Sequence, residues 1–142
     1  MIFKELTQED KLLLLTDLCG RMPFGVVCTD TYLNVTGTLS AIGLNYDMGV
    51  LDKDDGEDES VYIPNCKPYL FPLESMTEEQ KNNCPINETN LNIIKSNIGY
   101  GIIEMPWRLS YLFVDWCNKN HFDYRGLIPM GLANDATGLN IY

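Results

Sequence analysis

The chain has 142 residues, a hydrophobic fraction of 45% and a charged fraction of 21%, a composition that is typical of globular proteins and excludes a disordered one. Its length predicts a single domain over residues 1–142. The net charge is −10, and the run DKDDGEDE at residues 52–59 carries half of it. Because no stretch clusters Lys and Arg, we do not expect direct binding to nucleic acid.

The five cysteines are spaced too widely for a zinc site, and His121 has no cysteine pair beside it. We therefore expect no metal and no cofactor. Thiols in this arrangement are typical of a cytoplasmic protein. No apolar run reaches the length of a signal peptide or of a membrane span, so we predict a cytoplasmic location and no membrane association.

The first predicted element is a helix over residues 8–19. Thr7 is expected to accept hydrogen bonds from free backbone amides at its start, and Gly20 and Pro23 are expected to end it. Residues at helical spacing form the apolar stripe that would pack on the rest of the protein: Leu12, Leu14, Leu15, Leu18 and Cys19.

Residues 24–72 predict a small curved antiparallel β-sheet or an SH3-like barrel. Apolar and polar residues alternate strictly over residues 33–41, and a bulge or bend at Gly43 would accommodate the phase shift that follows. The other predicted strands are Val26–Cys28, Met48–Leu51, Val61–Ile63 and Tyr69–Phe71, the last being an edge strand or the exit from the sheet, since prolines flank it. The aromatic residues Tyr62, Tyr69 and Phe71 are expected to pack in the barrel core.

Residues 75–142 predict a helical region, so the fold class is α+β. A capping box at residues 75–78 would open a helix of two turns at most, ending near Cys84. We expect a short helix and then a strand at residues 101–103. A longer helix after Pro106 would bury one face and expose Asp115, Asn118 and Lys119. That buried face consists of Leu109, Leu112, Phe113, Trp116 and Cys117. A final short helix is expected between about Tyr124 and Pro129.

The acidic loop between two predicted strands is the first candidate site. It consists of Asp52, Asp54, Asp55, Glu57, Asp58 and Glu59. An EF-hand register with Gly56 at the sixth place puts Leu51 and Lys53 at ligand positions, so it fails. A looser calcium site is the alternative. The favoured interpretation is a solvated hairpin loop whose charge keeps sheet edges apart.

The second candidate site is an interaction surface formed by His121, Asp123, Tyr124 and Arg125. Cys117 lies one helical turn before His121, which leaves an enzyme with a Cys–His pair as an alternative. The structural interpretation is that Asp123 caps the last helix, Arg125 pairs with a carboxylate or a carbonyl, and His121 closes the preceding helix.

Three stretches, LTQEDKLLLLTDLCGRMPFGV, CKPYLFPLESMT and NHFDYRGLIPMGLA, together resemble a family of short uncharacterised proteins from Bacteroides-type gut bacteria, often carried on prophages and other mobile elements. Phe24, Phe71 and Pro129 depart from that family, where tyrosine, a basic residue and an acidic residue are typical. The family has no assigned activity, so the resemblance implies a genetic context and no catalytic residues.

These observations predict a non-enzymatic, phage- or mobile-element-associated accessory protein that binds another protein. One alternative is an acidic inhibitor that imitates nucleic acid and blocks a DNA-binding protein. The other is an enzyme that uses Cys117 and His121. The oligomeric state and the partner stay open.

Overall fold

The computed structural model describes residues 5–43, 47–97 and 107–142. The predicted α+β class is confirmed, with an N-terminal helix, a curved antiparallel sheet and a C-terminal helix. The sheet is open, and closure into an SH3-like barrel is not confirmed. The chain divides into two compact units, Met1–Tyr69 with Tyr142 and Leu70–Ile141, each described by itself below. The single domain over residues 1–142 stays a prediction.

The described residues form helices and strands with the following bounds. The helices are α1 Gln8–Arg21, α2 Glu78–Asn83, α3 Glu88–Asn97 and α4 Trp107–Asn120. The strands are β1 Val27–Asp30, β2 Val35–Gly43, β3 Met48–Asp52, β4 Asp58–Tyr62, β5 Cys66–Pro72, β6 Phe122–Asp123 and β7 Asn134–Asp135. Short 3-10 turns occupy Met22–Phe24, Ile63–Asn65 and Leu73–Ser75.

Helix α1 begins where the sequence predicts it to begin. Thr7 Oγ1 accepts from the Asp10 amide at 3.1 Å, and Asp10 accepts in return from the Thr7 amide, which completes a capping box. The predicted end at Gly20 is wrong, because the helix continues through Arg21 and the left-handed residue is Gly25, with φ of 74°.

The predicted apolar stripe of α1 is also wrong in part. Leu14 and Leu18 are buried, but Leu12 is 65% exposed and Cys19 is exposed. The buried face is completed by two polar residues one helical turn apart, Asp17 and Arg21. A buried ionic pair has therefore displaced part of the apolar stripe from the core-facing side of the helix.

The sheet of the first unit is antiparallel throughout, in the order β4-β3-β2-β1-β5. One face is buried, and it carries Cys28, Leu39, Leu51, Val61 and Cys66. The other, outer face carries alternating residues that are half-buried or exposed. Tyr62 belongs to this outer face and is 39% exposed, so the prediction that it packs in a barrel core is wrong.

The irregularity in β2 lies three residues before its predicted place. The pairing of β2 with β3 shifts between Leu39 and Ala41, which leaves Ser40 as the extra residue, whereas Gly43 pairs regularly with Met48. The shift explains the change of phase in the sequence, since the buried side alternates regularly up to Leu39 and resumes one residue late. Leu44 of the predicted phase shift lies outside the described residues.

The second unit packs helices against a short piece of sheet. The last part of β5 pairs in parallel with β6, Phe71 opposite Phe122, and the Ala136 amide donates to the Leu70 carbonyl at 2.8 Å beside β7. The Trp116 and Phe122 rings stack at 5.3 Å. The buried cluster comprises Leu73, Met76, Ile86, Leu91, Ile94, Phe113, Cys117 and Phe122.

The helices of the second unit confirm the predictions in part. The end of α2 before Cys84 is as predicted, and α3 is the expected short helix. The capping box belongs to Thr77 and Gln80 rather than to Ser75, because the Thr77 hydroxyl accepts from the Gln80 amide. The predicted strand at residues 101–103 and the predicted first turn at Pro106 lie outside the described residues.

The buried face of α4 is rotated relative to the prediction. Phe113 and Cys117 are buried as expected, whereas Leu112 is 43% exposed and Asn118 is 5% exposed, the reverse of the prediction. The buried stripe thus runs one residue further round the helix. Leu109 belongs to the predicted face, but its side chain is outside the described part of the chain.

The predicted last helix near Tyr124 is wrong. Residues 121–142, all of them described, form turns and the two short strands β6 and β7, with no helix. Gly126 and Gly131 adopt positive φ of 78° and 77°, and the Leu132 amide donates across the turn to the Leu127 carbonyl. Because two left-handed glycines lie only five positions apart, with Pro129 between them, this segment cannot form a regular helix.

Candidate functional site

The acidic loop forms a tight hairpin between β3 and β4. The Lys53 amide donates to the Glu57 carbonyl at 3.1 Å, and the Gly56 amide donates to the Lys53 carbonyl at 3.0 Å. Gly56 has φ of 81°, a conformation that glycine adopts without steric cost. Asp55 accepts from the Glu57 amide at 2.9 Å. The carboxylates are therefore held on an ordered turn, as the predicted hairpin loop requires.

Lys53 neutralises one side of this loop. Its ammonium group lies 3.7 Å from Asp55, 4.0 Å from Glu57 and 3.8 Å from Glu59, and its side chain is 22% exposed. Because these carboxylates are largely exposed to water, each pair contributes little to stability. Together the three pairs hold the Lys53 side chain on the loop, so that it does not pair with Asp52 or Asp58.

Asp52 and Asp58 form a carboxyl pair on the outer face of the hairpin. They are partners in the β3–β4 register, and Ser40 Oγ donates to Asp52 at 3.1 Å. A hydrogen bond with Asp52 raises the pKa of Asp58, and the negative charge of Asp52 raises it further. The two like charges destabilise each other, and none of the ion pairs in the described residues supplies a cation to them.

The loop offers no cation site in the described residues. In those parts of the chain, no three His, Cys, Asp or Glu side chains are grouped so that they can hold a metal ion. The Asp52 and Asp58 side chains lie on the outer face, whereas Asp55, Glu57 and Glu59 are already within 4.0 Å of the Lys53 ammonium group. The calcium alternative therefore receives no support from the geometry.

The edge of β4 is the feature that sequence reasoning did not find. Antiparallel ladders alternate between hydrogen-bonded and non-hydrogen-bonded pairs. The Lys53 amide donates to the Glu57 carbonyl, and the Ile63 amide donates to the Asp47 carbonyl at 2.8 Å. In this alternation Glu59 and Val61 bond inward to β3. The backbone groups of Asp58, Ser60 and Tyr62 consequently point away from the sheet.

These outward groups are open. Strand β4 is the last strand in the sheet order, and Asp58 and Ser60 are exposed. Among the described residues, no hydrogen bond occupies the amide or carbonyl groups of Asp58 and Ser60. The Tyr62 carbonyl accepts only a long contact of 3.7 Å from the Cys66 thiol. An unpaired strand edge of this kind can accept a further strand.

The outer face beside this edge changes character along β4. At one end stand the carboxylates of Asp52 and Asp58. At the other end Met48 and Tyr62 are directly paired across the two strands, and each is 39% exposed. Val50, which lies between Met48 and Asp52 on β3, is half-buried. The edge therefore has an acidic end and an apolar end on one face.

Two of the four residues of the predicted interaction surface, His121 and Asp123, are buried. His121 is 9% exposed and Asp123 is 3% exposed. Asp123 accepts from the amides of Leu127 and Ile128, both at 2.9 Å, so it caps a turn and not the predicted helix. His121, with φ of 64°, follows the last residue of α4, as the structural interpretation expected.

Tyr124 and Arg125 alone keep half-exposed side chains in this group, with the guanidinium group 5.0 Å from the ring centroid. Cys117 is fully buried in the hydrophobic cluster of the second unit, and it does not line the groove between α2 and α3. A nucleophilic thiol must reach its substrate, so the geometry offers nothing to the Cys117–His121 enzyme.

The first unit also contains a buried ionic pair that was not predicted. Arg21 Nε donates to Asp17 Oδ2 at 2.8 Å, and both side chains are fully buried. The spacing of four residues on a helix was the available signal, but surface pairs share that spacing. Burial raises the pKa of the nearby Cys28 thiol far above its usual range and that of Cys66 to about 12. These thiols are therefore unreactive in the folded protein.

A second unpredicted feature is the tip of the β1–β2 hairpin. Asp30, which is 1% exposed, accepts from the amides of Tyr32 and Leu33 at 2.9 and 2.7 Å. Tyr32 is 81% exposed at this tip.

The second unit has a groove of about 420 Å³ between α2 and α3, where the Lys81 ammonium already pairs with Glu78 at 3.3 Å.

Comparisons of the chain with models of protein families, with curated proteins and with solved structures found no match. None of the helices in the described ranges has both the length and the apolar character that a membrane crossing requires. The geometry of the molecule itself must therefore carry any functional conclusion.

Proposed function

We propose that this protein binds another protein by accepting an extended segment of that partner as an additional strand on β4. The observation that carries the proposal is the open edge, where Asp58 and Ser60 present unpaired amide and carbonyl groups over part of a five-residue strand. Each backbone hydrogen bond formed there contributes about 0.5–1.5 kcal/mol net. The proposal agrees with the sequence-based prediction of a non-enzymatic accessory protein.

The charge of the edge favours a different protein over a second copy of this chain. A copy docked in parallel would set Asp58 against Asp58, and a copy docked antiparallel about Ser60 would set Asp58 against Tyr62, which supplies no cation. Like charges on neighbouring strands are destabilising, and acidic residues on an edge are a common protection against self-pairing. A partner without this charge meets no such barrier.

The alternative of a nucleic-acid mimic uses the same carboxylates. A mimic needs acidic groups spread along a face in the spacing of phosphates. Here six of them are confined to residues 52–59, and Lys53 contacts three of those six. No observation favours that function over strand addition, and the association with mobile elements and the cytoplasmic location stay predictions.

The test begins with peptides selected for binding from a random library displayed on phage. We expect the selected peptides to slow hydrogen exchange at the amides of Asp58, Ser60 and Tyr62, which point outward in the free protein. Exchange at Glu59 and Val61, which already bond to β3, should change less. Amide-resolved NMR provides the measurement.

Ser60→Pro removes the central outward amide, and an edge strand tolerates proline at a position that does not bond inward. We expect peptide affinity to fall by at least about tenfold, which corresponds to about 1.4 kcal/mol. The matched control is Ser60→Ala, which keeps the amide and should bind within about twofold of wild type. Peptides that bind Ser60→Pro as well as wild type, or that protect amides elsewhere, would overturn the proposal.

A further inference from the structure

We infer that the segment accepted by β4 carries a Lys or Arg opposite Asp58 and an apolar or aromatic side chain opposite Tyr62, four residues apart in the partner. The inference rests on the proposed function, because it assigns the chemistry of the partner at the same edge. It follows from where the outer face of β4 is charged and where it is apolar.

The spacing comes from strand geometry. Side chains two residues apart in a strand share a face, so Asp58, Ser60 and Tyr62 all project on the outer face. A paired strand places its own residues directly opposite, with the same period. A basic residue opposite Asp58 and an apolar residue opposite Tyr62 are therefore separated by four residues, about 13 Å along the strand.

The acidic end lacks a cation. Asp52 and Asp58 face each other across the ladder, and Lys53 pairs with Asp55, Glu57 and Glu59. An ammonium or guanidinium group beside Asp58, on the side of β4 that faces away from Asp52, would offset the repulsion between the two carboxylates by an attraction to Asp58. The new pair would remain partly hydrated, so its effect is moderate.

The apolar end has a matching surface. Met48 and Tyr62 stand side by side, and more than a third of each residue is in contact with solvent. An incoming leucine or aromatic side chain opposite Tyr62 would cover part of both. A thioether and an aromatic ring adapt to several shapes, so the position would select for apolar character and not for one residue type.

The experiment compares four synthetic strand peptides of about nine residues, built mainly from Thr and Val. The first has Lys and Leu four residues apart, and the second has the two exchanged, which distinguishes the parallel from the antiparallel orientation. The third and fourth are made from whichever of these two binds better: Glu replaces Lys in the third, and Ser replaces Leu in the fourth. Affinities are measured by fluorescence anisotropy at low and at physiological salt.

We expect one of the first two peptides to bind best. Replacing its Lys by Glu, or its Leu by Ser, should lower the affinity about three- to tenfold. Asp58→Asn should weaken the best peptide by a similar factor. The matched control is Asp54→Asn, which removes the same charge from the same hairpin at the exposed turn and should change affinity less than twofold.

The outcomes separate this inference from the proposed function. If Ser60→Pro abolishes binding but the Glu peptide binds as well as the Lys peptide, strand addition stands and the partner chemistry assigned here is wrong. If Asp54→Asn and Asp58→Asn weaken binding equally, only overall charge matters and the positional assignment is wrong. If Ser60→Pro has no effect on any peptide, the proposed function fails and the inference falls with it.

Discussion

Replacing Arg21 by Met provides the most stringent test of the packing described for the first unit. The Arg21 guanidinium donates to Asp17 at 2.8 Å, and neither side chain contacts solvent. Removing one member of such a pair leaves a buried charge without its partner, which costs about 3–5 kcal/mol. Small domains have a total stability of about 5–15 kcal/mol, so this loss is large.

The effect can be measured by urea unfolding followed by far-UV circular dichroism. With a slope of about 2 kcal/mol per molar urea, the midpoint of Arg21→Met should fall by about 2 M. The double variant Asp17→Leu/Arg21→Met removes both charges, so it should be more stable than Arg21→Met by at least about 2 kcal/mol. Because both residues have further interactions in the fold, we do not expect the double variant to exceed wild type.

The control is Lys11→Met on the same helix, which removes a half-buried cation without an assigned ion pair and should shift stability by less than about 0.5 kcal/mol. The reasoning is refuted if Arg21→Met lies within about 1 kcal/mol of wild type, or if the double variant is as unstable as the single one. The first result would mean that water reaches the pair and screens it. The second would mean that the loss comes from other contacts of Arg21 and not from the charge left on Asp17.

Two further predictions concern the same unit. Tyr142→Phe should destabilise the protein by about 1–3 kcal/mol in thermal or urea unfolding, because its hydroxyl accepts from the Val27 amide at 3.0 Å and donates to the Tyr69 carbonyl at 2.7 Å. Asp58→Asn should be more stable than wild type near neutral pH, but not below about pH 3. The pKa of Asp58 is raised above 3.8 in the folded protein, so wild type has its full stability below 3.8, where Asp58 is protonated. Wild type loses part of that stability as the pH rises through the raised pKa, whereas the uncharged Asn does not.

Each of these predictions has a contrary outcome. Equal stability of Tyr142→Phe and wild type would show that water replaces the hydroxyl; Tyr32→Phe, at an exposed tip, is the neutral control. For Asp58→Asn, thermal melts that differ from wild type by the same amount at every pH would show that the two carboxyl groups do not interact. Asp54→Asn, in the exposed turn, serves as the comparison there.

The sequence predicts the elements of the first unit well, because local signals are strong in it. The hydroxyl of Thr7 and the alternation over residues 33–41 both depend on neighbours along the chain. The capping by Thr7 is confirmed, and the alternation holds over residues 35–39 but not at Leu33 and Ala41, which are exposed. The face of α1 was mispredicted because Asp17 and Arg21 satisfy each other inside the protein, and hydropathy alone assigns both to water.

The candidate site required information that is not local. The acidic loop could be read directly, but which strand forms an edge depends on the pairing order of all five strands. The interaction surface predicted at residues 121–125 stays a prediction, and sequence reasoning did not show that Asp123 accepts from two backbone amides of its own turn. A polar residue near the end of a helix serves the backbone as readily as it serves a partner.

The distribution of the cysteines has a consequence for the protein in air. Cys19 lies exposed on α1, whereas Cys28 and Cys66 are sealed in the interior. Slow oxidation would join two copies through Cys19 and leave the inner thiols untouched. Such a covalent dimer would present two copies of the same edge, and it would hold a bivalent or surface-immobilised ligand more tightly than a single copy does.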